Sequence, residues 1–196
     1  MRIRPATAED AGDIARVWEA AWHDAHDGRV PQELVRARPS SYFLEEAPRR
    51  VVDTLVAADG QGRVLGMVIV RADEVVQLMV AAEARGSGAG SSLMEAAERR
   101  IAGNHSLAWL AVVDANVGAR AFYERRGWSD AGELSYAAPN PGGEPVAVPV
   151  HLVLVPDVRA VVDLIVDRVA VRVVVYGDHP RRRGRAGLPV GRLRRR

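Results

Sequence analysis

Residues 75–94, Val-Val-Gln-Leu-Met-Val-Ala-Ala-Glu-Ala-Arg-Gly-Ser-Gly-Ala-Gly-Ser-Ser-Leu-Met, run an apolar strand through an Arg-Gly-rich turn straight into a helix. That junction is an anion site by construction. Gly86, Gly88 and Gly90 have no Cβ, so the loop can curl with positive φ and bring backbone N–H groups close to a ligand. The helix opening near Gly90 adds unpaired N–H groups and the positive end of its dipole, which suits a phosphate or pyrophosphate. Arg85 at the loop mouth can add a charge-assisted hydrogen bond.

Spacing separates the phosphate-binding loops that such a turn could be. A P-loop needs a Lys after its last Gly, and the chain has no Lys at all. A dinucleotide turn needs G-x-G-x-x-G, and the frame from Gly86 supplies Gly88 but then Ser91. What remains is Arg85-Gly86-x-Gly88-x-Gly90. Downstream, an apolar strand at residues 107–113 is followed by Asp114 and Asn116 and then by a helical pattern carrying Ala119, Phe122 and Tyr123 before Gly127 and Trp128. Core packing accounts for Ala119 and Phe122, and Gly127 reads as a helix C-terminal glycine. The phenol of Tyr123 has a polar tip that packing does not require.

Together the two motifs resemble those of the GCN5-related N-acetyltransferases, the GNAT family: the acetyl-CoA loop in residues 85–90, and the N-x-x-A-x-x-F-Y-x-x-x-G-[FW] element in residues 116–128. The order of expected elements agrees. A strand at residues 2–5 precedes a helix capped by Thr7 with Asp10 three residues on; residues 31–46 are loop and helix. Runs at residues 52–57 and 64–70 flank the turn signal Asp59-Gly60-Gln61-Gly62. A strand at 74–80, a helix from Gly90, a strand at 107–113, a helix from Asn116 and strands at 128–136 and 146–155 follow. The expected class is α/β: a mixed, mostly antiparallel central sheet with a splayed parallel strand pair, flanked by helices. It spans a domain of residues 1–155.

The resemblance implies the chemistry. In the family the strands matching residues 74–80 and 107–113 splay apart, and the pantetheine arm of acetyl-CoA pairs in the gap. Here that places the arm on Leu78, Met79 and Val80 and the pyrophosphate on Arg85, Gly86, Ser87, Gly88, Ala89, Gly90 and Ser91, with Asn116 bonding the arm from the other side. The N–H of Met79 or Val80 is the expected oxyanion donor. Tyr123 matches the family's acid position, and Glu74, beside Asp73, lies where some members carry a catalytic Glu. Trp22, His23 and His26 fall where the acceptor site is built. The implied activity is transfer of acetyl from acetyl-CoA to a primary amine. The competing reading is a non-catalytic acyl-CoA-binding sensor or regulatory module.

Composition narrows the chemistry further. With no Cys there is no acyl-enzyme thiol and no thiolate metal site, and no metal is expected. No apolar run is long enough to cross a membrane, and the first ten residues lack the apolar core of a signal peptide, so the cytoplasm is the expected setting and a membrane is not an expected partner. A homodimer is compatible with this reading. Residues 1–155 carry a net charge of −5 and residues 156–196 a net +7, out of +2 overall. The acidic body favours cationic acceptors by steering. Residues 158–176 are Val-rich with the composition of one more helix or strand, and residues 179–196 read as a disordered Arg-rich extension. Such a tail binds phosphates without specificity. It lacks aromatic residues between the charges, so nucleic acid is not an expected partner, and a non-functional extension explains it equally well.

Overall fold

The computed structural model describes residues 1–141 and 143–155. The Arg-rich extension, with the helix or strand expected within it, lies outside the described residues. Strand β1 (Arg2–Pro5) leads into helix α1 (Ala11–His26), then α2 (Gln32–Arg36) and α3 (Ser40–Arg50). Strands β2 (Thr54–Ala58), β3 (Val64–Arg71) and β4 (Glu74–Val80) follow, then α4 (Ala89–Ala102), β5 (Ala108–Val113), α5 (Val117–Arg125), β6 (Ser129–Ala138) and β7 (Val146–Val155). One seven-stranded sheet has the order β1-β2-β3-β4-β5-β7-β6. All neighbours are antiparallel except β4 and β5.

Periodicity explains which faces are covered. On α1 the buried residues Ile14, Val17, Trp18, Ala21 and Trp22 recur at helical spacing, and they pack with Phe43 and Ala47 of α3 against Val56, Met67 and Ile69 on one face of the sheet. Leu93, Met94, Ala97 and Ile101 of α4 cover the other face, with Val68, Val75 and Leu110 beneath them. Every residue of β2 is therefore buried, as expected for a strand sandwiched between helix layers.

Two expectations need correction. Three helices, not two, separate β1 from β2. The strand expected from Val52 starts only at Thr54, because Val51–Asp53 wind a 3₁₀ turn and the Thr54 hydroxyl donates to the Arg50 carbonyl at 2.6 Å. The turn between β2 and β3 is as expected: the Asp59 carboxylate accepts from the N–H groups of Gln61 and Arg63 at 2.9 and 3.0 Å.

The irregularity that matters most lies in β4. Its register against β3 pairs Ile69 with Gln77 but Val70 with Val75, so Val76 is an extra residue and the strand bulges there. The bulge lets Val75, Leu78 and Val80 share the α4 face while Val76 and Met79 turn to the α1 face. Beyond it, β4 leaves β5. Only Glu74 and Trp109 pair, with the Trp109 N–H donating to the Asp73 carbonyl at 3.0 Å. On β7, next to the β6 edge, His151 lies between Asp114, 2.9 Å from Nε2, and Asp130, 2.7 Å from Nδ1, and the pairing with Asp130 chiefly holds its pKa above the ordinary value.

The start of the fold is pinned by charge. Buried Asp10 accepts two bonds from Arg4, both at 2.7 Å, and two more from the backbone N–H and hydroxyl of Thr7 at 2.7 and 3.0 Å. The Arg4 bonds are the main reason its pKa falls from 3.8 to about 2. A carboxyl whose folded value lies below its unfolded one stabilises the fold above the unfolded value, and that contribution drains away as pH falls toward the folded value. Asp10→Asn is therefore expected to cost about 2 kcal/mol at pH 7. In urea unfolding, the gap between variant and wild type should close as pH falls from about 4 to 2.

Candidate active site

The parting of β4 and β5 leaves backbone groups facing a gap. Ala81 N–H donates to the Leu65 carbonyl at 2.9 Å, and the register continues with Gly66 opposite Val80 and Met67 opposite Met79. Antiparallel ladders alternate, so Met79 exchanges its bonds with Met67 while the N–H and C=O of Leu78 and Val80 point away from β3 toward β5. Of the two oxyanion donors expected from sequence, Val80 is the one whose N–H is turned to the gap. An amide left facing a gap costs about 1–3 kcal/mol unless something pairs with it.

Above that gap opens a cleft of about 680 Å³. Leu78, Met79 and Val80 form its floor; Arg85, Gly86, Gly88, Gly90 and Ser91 line one wall, and Asn116, Phe122 and Tyr123 the other. Gly86 and Gly88 have φ of +77° and +88°, which turns the chain into α4 with Gly88 as the cap. The first backbone bond of α4 is Ser92 N–H to the Gly88 carbonyl at 3.0 Å, so the N–H groups of Ala89, Gly90 and Ser91 have no partner within the helix. These donors and the helix dipole make the loop suited to an anion.

Each expected site residue has a definite place. Ser87 and Ala89 are not in the cleft wall: the Ser87 hydroxyl donates to the Ala84 carbonyl at 2.6 Å, and the Ala89 side chain is buried. Arg85 lines the cleft and pairs across it with Asp24 of α1 at 2.7 Å. Asn116 lines the cleft and caps α5 by accepting from the Ala119 N–H at 3.2 Å through its amide oxygen. Tyr123 is 8% exposed and packs at 5.3 and 6.0 Å from the Phe122 and Trp128 rings. Burial alone pushes its phenol well above the ordinary range, so the hydroxyl keeps its proton at neutral pH and can act as a donor.

Glu74 does not line this cleft. It lies half-buried in a second, smaller hollow of about 170 Å³ on the α1 side of the sheet, with Trp18, Trp22, His26, Arg38, Tyr42 and Tyr136. Residues 74–77 of β4 line this hollow and residues 78–80 the cleft, so one strand serves both. Trp22 and His26 are brought together there, stacked with centroids 4.6 Å apart. The His26 Nδ1 lies 2.7 Å from the Trp22 carbonyl, which can only accept, so Nδ1 carries the proton and Nε2 the lone pair. Burial lowers its pKa to about 4 and keeps the ring neutral. His23 lies outside both hollows, bonded to Asp27 at 2.9 Å. Sequence reasoning missed Arg29 and Arg125 in the cleft and Arg38, Tyr42 and Tyr136 in the hollow; none of them belongs to a motif.

The profile of the acetyltransferase (GNAT) family matches residues 14–128, more than half of the chain. The chain belongs to the GNAT family. Solved structures agree on the fold. A GCN5-related N-acetyltransferase from Kribbella flavida is 23% identical over 80% of this chain and 97% of its own, with a TM-score of 0.59. One from Rhodopseudomonas palustris is 22% identical over 77% and 93%, with a TM-score of 0.60. The PaiA N-acetyltransferase of Thermoplasma acidophilum, solved in complex with coenzyme A, is 17% identical over 78% and 96%, with a TM-score of 0.57. No curated protein matches the sequence. This GNAT chain is thus an acetyltransferase with the family's mixed sheet, and none of its described helices is long and apolar enough to cross a membrane.

Gly88 offers the sharpest test of the loop. A Cβ there would meet nothing within 4 Å, so packing does not object, but at a φ of +88° a β-branched side chain strains the backbone. Gly88→Val should shift the loop and weaken acetyl-CoA binding by about tenfold or more, in line with a strain of roughly 1–3 kcal/mol. Calorimetric titration checks the affinity and far-UV circular dichroism the retained fold.

Proposed function

We propose that this GNAT protein transfers acetyl from acetyl-CoA directly to the primary amine of a small acceptor. The observation that carries the proposal is the gap beyond the Glu74–Trp109 pair, where the backbone of Leu78 and Val80, the open N-terminus of α4 and Tyr123 line one cleft. A pantetheine arm has amides of its own and can pair there like an added strand. Its pyrophosphate meets the N–H groups of residues 88–91. Arg29, Arg85 and Arg125 also line the cleft, and the phosphates compete with Asp24 for Arg85.

The reaction is a direct attack, because the chain has no Cys to carry an acyl group. The amine nitrogen forms a bond to the thioester carbon, the Val80 N–H donates to the oxygen as charge builds on it, the nitrogen gives up its second proton to water, and the carbon–sulfur bond breaks as CoA leaves as the thiolate. Tyr123 donates to the departing sulfur. A thiolate of pKa about 8.5 does not fully deprotonate a phenol raised above 10, so the main effect is a hydrogen bond that stabilises the sulfur as charge develops. The amine must lose a proton before attack, a cost of about 4–5 kcal/mol at pH 7 for a pKa near 10.4. Glu74, in the hollow whose β4 residues directly precede those of the cleft, is the proposed acceptor of that proton, through water. Residues 1–155 form the catalytic domain in this proposal, acting in the cytoplasm, and the Arg-rich extension takes no part in the chemistry.

Tyr123→Phe keeps the ring and removes only the hydroxyl. It should lower kcat by about 10²-fold or more while acetyl-CoA affinity stays near wild type. Single-turnover measurement of CoA release checks this; a rate within about twofold of wild type would sink the assigned role. The sensor reading is tested in the same assay, since it requires acetyl-CoA binding without CoA release across a broad amine panel.

A further inference from the structure

The hollow on the α1 side contains two buried donors with no acceptor. Trp18 Nε1 and Arg38 Nε are both buried without a hydrogen-bond partner among the described residues, and both residues line this hollow. A buried orphan donor costs about 1–3 kcal/mol, and more when it is charged. Two in one hollow point to an acceptor that arrives with a ligand.

Arg38 is built to present that charge. Its guanidinium carbon lies 4.6 Å from the Trp22 ring centre and 5.6 Å from that of Tyr42. The rings lie against the guanidinium, whose in-plane N–H groups meet the Tyr42 hydroxyl and, at Nε, have no partner among the described residues, an edge that can still grip a carboxylate. Burial pushes its pKa down, and the groups that offset this are the phenols of Tyr42 and Tyr136, not a carboxylate. The other cations of the hollow are already matched: Arg50 with Glu46 at 2.8 Å and Arg71 with Asp53 at 3.7 Å. His26 beside them is neutral. Glu74 lies on the β4 side of the same hollow, where the strand passes on to the cleft.

We propose that Arg38, with Trp18 Nε1, binds the carboxylate of the acceptor, so that the acceptor is a small free amino acid whose apolar side chain meets Trp18, Tyr136 and Val148. This builds on the acetyl-transfer reading and names its substrate class. The carboxylate sits at Arg38 and the amine at the β4 end, toward Glu74 and the thioester. Local charge then overrides the steering of the acidic body: the hollow selects a molecule with a negative group, not a polyamine.

The full-length chain is assayed for CoA release with acetyl-CoA and the common amino acids, each beside its amide and its decarboxylated amine. Because the chain has no Cys, a thiol reagent reads only the released CoA. The amide stands in for a peptide N-terminus. Wild type should prefer the best free acid to its amide by roughly 30-fold or more in kcat/KM, the scale on which a buried charge pair is lost. Arg38→Met should erase that preference. Acid and amide used within about twofold of each other by wild type, or slowed alike by Arg38→Met, would overturn the proposal. If Arg38→Met fails to fold in a melting experiment, Arg38→Lys keeps the charge, loses the fork and is judged by the same ratio. Calorimetry with 4-methylpentanoate, which has the carboxylate and no amine, separates the two readings. Binding to wild type but not to the variant, with no amine turned over, keeps the anion site and removes acetyl transfer; neither binding nor turnover removes both.

Discussion

The pairing of Glu74 with Trp109 is the only ladder contact between β4 and β5, and most of what this protein can do depends on the strands parting immediately after it. Two parallel strands held along their whole length would pair every amide that faces the other strand. Here the extra residue at Val76 turns the β4 ladder over, so that beyond it the backbones of Leu78 and Val80 face the opening instead of β3. The same half-twist sends Leu78 and Val80 to the α4 face and Met79 to the α1 face. One inserted residue therefore sets both the hydrogen-bonding edge of the cleft and the side chains that floor it.

Electrostatics divides the two hollows as clearly as geometry does. In the cleft, fixed backbone donors at the start of α4 meet a buried phenol that holds its proton. In the hollow, the Arg38 guanidinium lies against aromatic rings with no ion pair among the described residues, and a buried imidazole has given up its charge. Burying a cation is costly unless something pays the desolvation back. A fold whose described residues tie Arg4, Arg50, Arg71, Arg85 and Arg126 to carboxylates leaves Arg38 out of that scheme.

Sequence carried much of this. The run from residue 74 to 80 is the strand β4, the Gly-rich turn is the cap of α4, and Asn116 and Tyr123 face the same cleft because seven residues are nearly two helical turns. These features were legible because they are local and periodic. The bulge at Val76 was not: Val75 and Val76 are alike, and only pairing with β3 decides which is extra. Nor were Arg38, Tyr42 and Tyr136, which come from a loop between helices, from α3 and from β6 and meet only when the sheet closes. His23, expected with His26 at the acceptor site, lines neither hollow and bonds to Asp27 instead, a partner that the sequence pattern alone does not single out.

The open seam also ties ligand occupancy to mechanical integrity. Residues 1–102 supply β1 to β4 with α4, and residues 108–155 supply β5, β7 and β6, so the two halves of the sheet share almost no backbone bonds. A ligand whose amides bridge the opening becomes the missing rung between them, a keystone and not merely a passenger. Mass action then raises global stability by about 2.7 kcal/mol at a hundredfold excess over Kd. The stiffening should concentrate along β4 and β5, so that slowed amide exchange at this seam would report how much of the protein in a cell is loaded.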